Sequence, residues 1–300
     1  MFLNWLGALP GAAAQGMIWG IMAIGVYLTF RILDVADLTV DGSICTGGAV
    51  CAVLVANGVN VWVAMLVALL AGLIAGLLTG IMHSYMGIPA ILAGILTQQM
   101  LWSVNLKIMG KANVALPSRN YKLLLASIDP TMAIVVLIGV IVVIIAALYW
   151  FFGTELGTSI RSTGNNINMS RAQGINTDFT KILGLSLSNG IVALSGALLT
   201  QYQGFADINM GRGAIVIGLA AVIIGEAVIS RISQNMAVRL VGVILGGVVY
   251  YFVYQTVIFL GLDADLLKML SAVVVAVFLA VPYWKKNIFF TKVKGRRTNA

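Results

Sequence analysis

GTSIRSTGNNINMSRAQGI, residues 157–175, is the stretch on which the reading of this chain turns. It lies between two long apolar runs, yet it carries two arginines, three asparagines and several small polar residues. A connector that only satisfied the positive-inside rule would need no internal order. This one has order: Arg161, Gly164, Asn166, then Ser170-Arg171-Ala172, then Gly174-Ile175. Ser170 to Gln173 are expected to form a short helical turn, which Gly174 is placed to stop. A short cytoplasmic helix between spans lets a membrane subunit dock onto a soluble motor. Arg161, Gly164, Asn166, Ser170, Arg171 and Gly174 are the residues expected to make that contact.

Composition fixes the solvent of everything around this segment. The chain is 60% hydrophobic and 9% charged, with a mean hydropathy of +1.01. A soluble domain carries roughly 25% charged residues and could not cover its surface with so few. At roughly 20 residues per span, 300 residues allow about ten membrane helices at most. Only helices or closed barrels satisfy the backbone in lipid, and runs this long are helical. The expected fold is therefore all-α and polytopic, with about nine membrane segments: 15–33, 42–56, 61–82, 88–106, 131–152, 181–202, 213–229, 236–260 and 266–283. The second is short and glycine-rich, and a polar extramembrane segment, 107–130, follows the fourth. No basic n-region precedes the first run, so no cleavable leader is expected. Met1 to Leu9 read as a short amphipathic or interfacial lead-in. The whole chain, 1–300, is expected to be one domain with a first half at 15–152, the docking segment at 157–175, a second half at 180–283 and a basic tail at 284–300.

Lys and Arg placement sets the orientation. Lys285, Lys286, Lys292, Lys294, Arg296 and Arg297 place the tail in the cytoplasm. Counting back, the Arg231/Arg239 loop and the docking segment with Lys181 fall inside, whereas Asp207, Asp263 and Asp265 fall outside. The exception is the basic group Lys107, Lys111, Arg119 and Lys122, which falls outside.

A shift of 170 residues aligns Gly20-Ile21-x-Ala23 with Gly190-Ile191-x-Ala193, Leu28 with Leu198, and Ala36-Asp37 with Ala206-Asp207. A glycine-bearing apolar run follows each Asp. The two copies would have opposite orientation, an inverted repeat of the kind found in transporters whose halves rock around a site between them.

These stretches resemble the inner-membrane permease family of ABC importers for branched-chain amino acids, ribose and related solutes. ILDVADLTVDGSICTGGAV at 32–50 is similar to its first block, residues 161–175 to its coupling region, and GALLTQYQGFADINMGRGAIVIGLAAVIIG at 196–225 to a later block. LTVDGS at 38–43 and ILAGILTQQMLWSVNLKIMGKANV at 91–114 resemble a branch associated with tryptophan or tyrosine uptake. The chain departs from the family after the seventh span, where Glu226 and Ser230-Arg231-Ile232-Ser233 stand in place of glycines. The resemblance implies a permease subunit for a small solute, an amino acid and possibly an aromatic one, in a bacterial plasma membrane. It implies as partners a second copy in a homodimer, a cytoplasmic ATP-binding subunit and an extracytoplasmic solute-binding protein. The chain has no G-x-x-x-x-G-K-[ST] loop. It is expected to bind no cofactor and to be no enzyme, with ATP used by the partner subunit.

Gln98, Gln99 and Asn105 on the fourth span, with Ser188 and Asn189 on the sixth, are candidates to line the path; buried amides between packed helices are the competing reading. Asp37, Asp41 and Asp207 are candidates for gating or for capping helices near the interface. His83 has no acidic or cysteine neighbour at ligand spacing, and Cys45 and Cys51 read as small apolar side chains, so no metal site is expected. The alternative function is a secondary transporter driven by an ion gradient. It would need a charged residue deep within a span, and none is expected there; Glu226 comes nearest.

Overall fold

The computed structural model describes residues 2–117, 121, 123–229 and 235–259, with isolated positions between 269 and 280. The ninth expected span lies almost wholly outside the described residues, as do the basic tail, Arg119, Lys122, and Ser230 to Ser233.

Apolar runs become helices because a helix closes its own backbone bonds where no water can. In chain order the described helices are α1 (Phe2–Tyr27), continued by a π-helical turn at Leu28–Ile32, α2 (Val40–Ala56), α3 (Val61–Ser84), α4 (Ala90–Met109) and α5 (Pro130–Gly153). Then come α6 (Glu155–Asn165), α7 (Ile167–Ala172), α8 (Thr177–Gln203), α9 (Ala214–Ile229) and α10 (Met236–Phe259). Among the described residues five helices are long and apolar enough to cross a membrane: α1 with its extension, α3, α5, α8 and α10. The protein is an all-α membrane protein with one small exception. Within the polar segment 107–130, β1 (Asn113–Ala115) pairs antiparallel with β2 (Phe205–Asp207), Val114 opposite Ala206. The N-terminal lead-in is helical from Phe2, in one helix that runs through Pro10. A proline there costs one helical bond but leaves the surrounding turns intact.

Small residues decide which helices touch, because in lipid the drive for association is close packing rather than apolar burial. A methyl group at Gly72 would strike the Asn189 carbonyl, one at Gly76 the Leu185 carbonyl and one at Gly80 the Ile182 backbone. This register makes α3 and α8 antiparallel. On its other side α8 lies antiparallel to α1, tied by three side chains: Ser188 Oγ donates to the Gly25 carbonyl at 2.7 Å, Ser195 Oγ to Ile18 at 2.7 Å and Tyr202 Oη to Gly11 at 3.3 Å. Ser43 bonds Asn189 and Gln201 reaches Cys51, so α2 runs parallel to α8, and the two cross where Gly47 meets the Ala193 carbonyl and Gly196 the Ile44 carbonyl. α10 packs antiparallel to α1, with Gly16 on Val248 and Gly20 on Ile244.

These contacts show where the chain breaks. α1 ends beside α6, where Gly164 meets the Ile32 carbonyl. The next segment, Leu33 to Thr39, is not helical. It delivers Asp37 and the first turn of α2 to Asn189, which faces Gly72 near the midpoints of α8 and α3. α2 therefore starts deep in the bundle. On the other side, residues 208–213 lead from β2 to the start of α9, where Gly213 and Ile215 bond to Asp41 in the first turn of α2. Two helix starts meet inside the molecule, and irregular backbone at that depth is tolerated because it is covered by protein.

Candidate functional site

The buried break is held by polar side chains from five elements. Asn189 is fully buried and is the hub. Its Oδ1 accepts from Ser43 Oγ at 2.6 Å, and its Nδ2 donates to Asp37 Oδ2 at 2.6 Å and to the Leu185 carbonyl at 3.0 Å. Asp37 Oδ1 accepts the Thr39 N–H at 2.9 Å. The chain of bonds continues from Thr39 Oγ1 to Thr79 Oγ1 at 2.7 Å and from Thr79 to Thr97 at 2.9 Å, linking α3 and α4. Asp37 is 3% exposed and has no cationic partner among the described residues. No carboxylate was expected at this depth. Asp37 reaches it because the residue belongs to the break between helices rather than to a span.

The other acidic candidates separate from it. Asp34 is exposed with φ +55° and lines a cavity beside His83, Thr163 and Gly164. His83 Nδ1 bonds the Ile88 carbonyl at 2.9 Å. Asp41 accepts from Gly213 N at 3.0 Å and Ile215 N at 2.9 Å, so it caps the start of α9 rather than its own helix. Asp207 Oδ1 accepts the Asn209 N–H at 2.7 Å, the same turn that Asp37 makes with Thr39. Cys45 does more than fill space, since its Sγ accepts the Gly211 N–H at 3.1 Å.

The five path candidates divide into two groups. Gln98, Gln99 and Asn105 line a cavity of about 290 Å³ with Asp41, Trp102 and Arg212. Ser188 and Asn189 lie apart from it, spent on α1 and on the buried network. Sequence spacing could not separate these groups, because both are amides or hydroxyls on apolar helices. Thr39, Thr79 and Thr97 carried no signal at all in the sequence; a threonine on a helix usually bonds its own preceding turn.

The polar segment forms two helices instead of one short turn. Thr154 starts α6, its Oγ1 accepting from Gly157 N, with Glu155 in the first turn where the helix dipole favours it. α6 buries Ile160 and Thr163, and Thr163 Oγ1 bonds Thr180 Oγ1 at 2.9 Å. Asn166 then caps α7, accepting from Met169 N at 3.0 Å. Ser170 is fully buried and its Oγ reaches Ser162 Oγ at 2.8 Å, clamping α7 onto α6. Gly174 at φ +81° closes the turn, with the Ile175 N–H on the Ser170 carbonyl at 3.0 Å. Arg171 Nε donates to Thr177 Oγ1 at 2.9 Å and its guanidinium lies 3.7 Å from Asp178. Gly164 seats α6 on the end of α1, and Arg161 faces a cavity of about 370 Å³ with Tyr27, Arg31 and Arg239. The sequence reading missed Met169 and Phe179, apolar side chains left exposed beside Arg171.

Glu226 pairs with Arg31 at 2.8 Å, with their side chains 28% and 56% exposed. An ion pair this open stabilises by about 1 kcal/mol at most. Glu226→Gln should accordingly leave the thermal unfolding midpoint of the detergent-purified protein almost unchanged.

Residues 9–282 match the family described as the permease component of the branched-chain amino acid transport system. The tyrosine transport system permease protein of Clostridioides difficile is 40% identical over 266 residues, covering 89% of this chain and 88% of that one. An uncharacterized protein of Rickettsia prowazekii is 32% identical over 271 residues, 90% of this chain and 95% of the relative. The autoinducer 2 import system permease protein of Salmonella choleraesuis is 28% identical over 250 residues, 81% of this chain and 67% of the relative. No solved structure matches.

Proposed function

The chain belongs to the branched-chain amino acid transport permease family, and from that premise we propose that it carries an aromatic amino acid inward, driven by a separate ATPase that grips α6 and α7. It is the membrane permease subunit of an ATP-binding-cassette importer, a multi-pass protein of the bacterial inner membrane and not itself a catalytic enzyme. The amino acid reading is supported by the 40% identity to a relative named as a tyrosine transport permease.

The observation that carries the docking role is the pair α6–α7. It is capped at both starts, clamped by Ser162–Ser170, braced on α8 through Thr163–Thr180, and presents Met169 and Arg171 outward, with Phe179 exposed in the first turn of α8. A rigid knob of this kind passes a push from the motor into α8 and the end of α1 as a rigid-body motion. Of the coupling candidates, Arg171 and Gly174 belong to the exposed face, whereas Gly164, Asn166 and Ser170 hold the knob together. Arg161 belongs to the α1 side.

The remaining assignments follow. The nine segments form an inverted repeat in which α1 corresponds to α8 and α2 to α9. It is supported by the antiparallel run of α1 and α8, and by the matching turns at Asp37 and Asp207 that lead into the two inner helix starts. The docking segment, the 284–300 tail and the C-terminus are cytoplasmic, supported by their Lys and Arg content. An extracytoplasmic binding protein delivers the solute, and two copies of the chain form the pore. ATP is bound by the partner subunit.

Affinity purification of the chain from its own membrane in mild detergent tests this. An ATPase subunit in equal amount, lost in the double variant Arg171→Glu/Gly174→Val, is the expected result. The chain emerging alone, with uptake abolished by a protonophore, would refute the ATP-driven reading and turn attention to Asp37.

A further inference from the structure

We propose that the cavity between α2, α4 and the 208–213 turn is a solute-binding site for the zwitterionic head group and aromatic side chain of an α-amino acid. The proposal rests on the importer reading above and adds a site within the permease itself, beside any selectivity held by the delivery protein.

Three observations converge on it. The first is an orphaned side chain. Asn105 is 1% exposed, lines the cavity, and neither its Oδ1 nor its Nδ2 has a hydrogen-bond partner among the described residues. A buried amide left bare costs free energy on both atoms, so a native position of this kind calls for a partner from outside the chain. The Asn189 amide, equally buried on the neighbouring α8, is fully satisfied. The second is separated opposite charge. Arg212 and Asp41 line the same cavity, and the ion pairs among the described residues are Arg31–Glu226 and Arg171–Asp178, not these two. The Arg212 guanidinium has no side-chain bond among the described residues. Asp41 is held beside it by the N–H groups of Gly213 and Ile215, each of its oxygens retaining a further lone pair. The third is size and lining. About 290 Å³ is at the small end of ligand pockets, roughly 300 Å³, and suits a single amino acid.

The chemistry assigns each group a task. A guanidinium takes a carboxylate in a bidentate, charge-assisted contact. The Asp41 carboxylate takes the ammonium, and the Gln98, Gln99 and Asn105 amides fill the remaining donors and acceptors. Trp102 offers an aromatic face to an aromatic side chain. A simple cation or anion would leave one of the two charges unanswered, and a sugar would leave both.

The test uses the purified permease–ATPase complex in lipid nanodiscs, without binding protein, titrated with radiolabelled L-tyrosine. Saturable binding is expected, with L-phenylalanine competing well. Tyramine, which lacks the carboxylate, and 3-(4-hydroxyphenyl)propionate, which lacks the ammonium, should each compete at least about tenfold more weakly. Arg212→Gln should weaken tyrosine by about tenfold or more while bringing tyramine level with it. Trp102→Leu, at an exposed position of α4, provides a second variant and should weaken tyrosine more than L-alanine. Each variant is scored only in complexes that retain the ATPase subunit. Absence of saturable tyrosine binding by the intact complex, or equal competition by tyramine, would overturn the site and leave the importer reading standing. Absence of a co-purifying ATPase would overturn the importer reading itself.

Discussion

Replacing Asn189 by leucine should lower stability by about 3 kcal/mol or more, the scale seen when one partner of a buried charged interaction is removed. Leucine is close to asparagine in size, so the loss would come from bonds rather than from a cavity. It would remove the acceptor of Ser43 and the amide donor to Asp37, and leave a carboxylate that is 3% exposed with Thr39 alone to bond it. Thermal unfolding of the detergent-purified protein is the measurement, and the midpoint should fall by of the order of 10 °C. The double variant Asp37→Asn/Asn189→Leu should recover part of the loss, because no charge then remains to be stranded. A single variant as stable as the parent would show that Asp37 is not carried as a charged group in this network.

The second large effect is expected at the joint between the docking helices and the spans. Gly164→Val would push α6 off the Ile32 carbonyl and Leu33, where no Cβ fits. ATP-driven uptake should fall between about fivefold and 150-fold, the range of a coupling free energy between two sites. Membrane insertion and ATPase co-purification should be kept, because α7 and its exposed face are untouched. Unchanged uptake in vesicles would remove α6 from the coupling route. Gly174 offers an instructive contrast. Nothing lies within 4 Å of a Cβ there, but its φ is +81°. Bulk is not the obstacle at Gly174; backbone conformation is, at roughly 1–2 kcal/mol for an ordinary residue. Gly174→Asn should therefore transport nearly as well as the parent in the same vesicle assay, whereas Gly174→Val should not.

Sequence alone establishes a helical membrane protein and brings seven of its segments to within a few residues of α2 to α5 and α8 to α10; for residues 157–175 it predicts one helical turn where two helices form. Those properties are local. Apolar length dictates a lipid-facing helix and Gly174 dictates a stop, whatever the rest of the chain does. It is the packed structure that puts Asp37 deep in the bundle, sets Asp41 to cap α9 instead of α2, and leaves Asn105 bare among the described residues while Asn189 is saturated. Each of those facts depends on pairing residues far apart in the chain, Asp37 with Asn189 and Asp41 with Gly213. In an apolar chain the sequence pattern is nearly the same on every helix. What sets the pairing is where glycines let two backbones approach, as Gly47 and Gly196 do between α2 and α8. A glycine in sequence does not name its partner; the packed structure does, because contact at that distance excludes every other register.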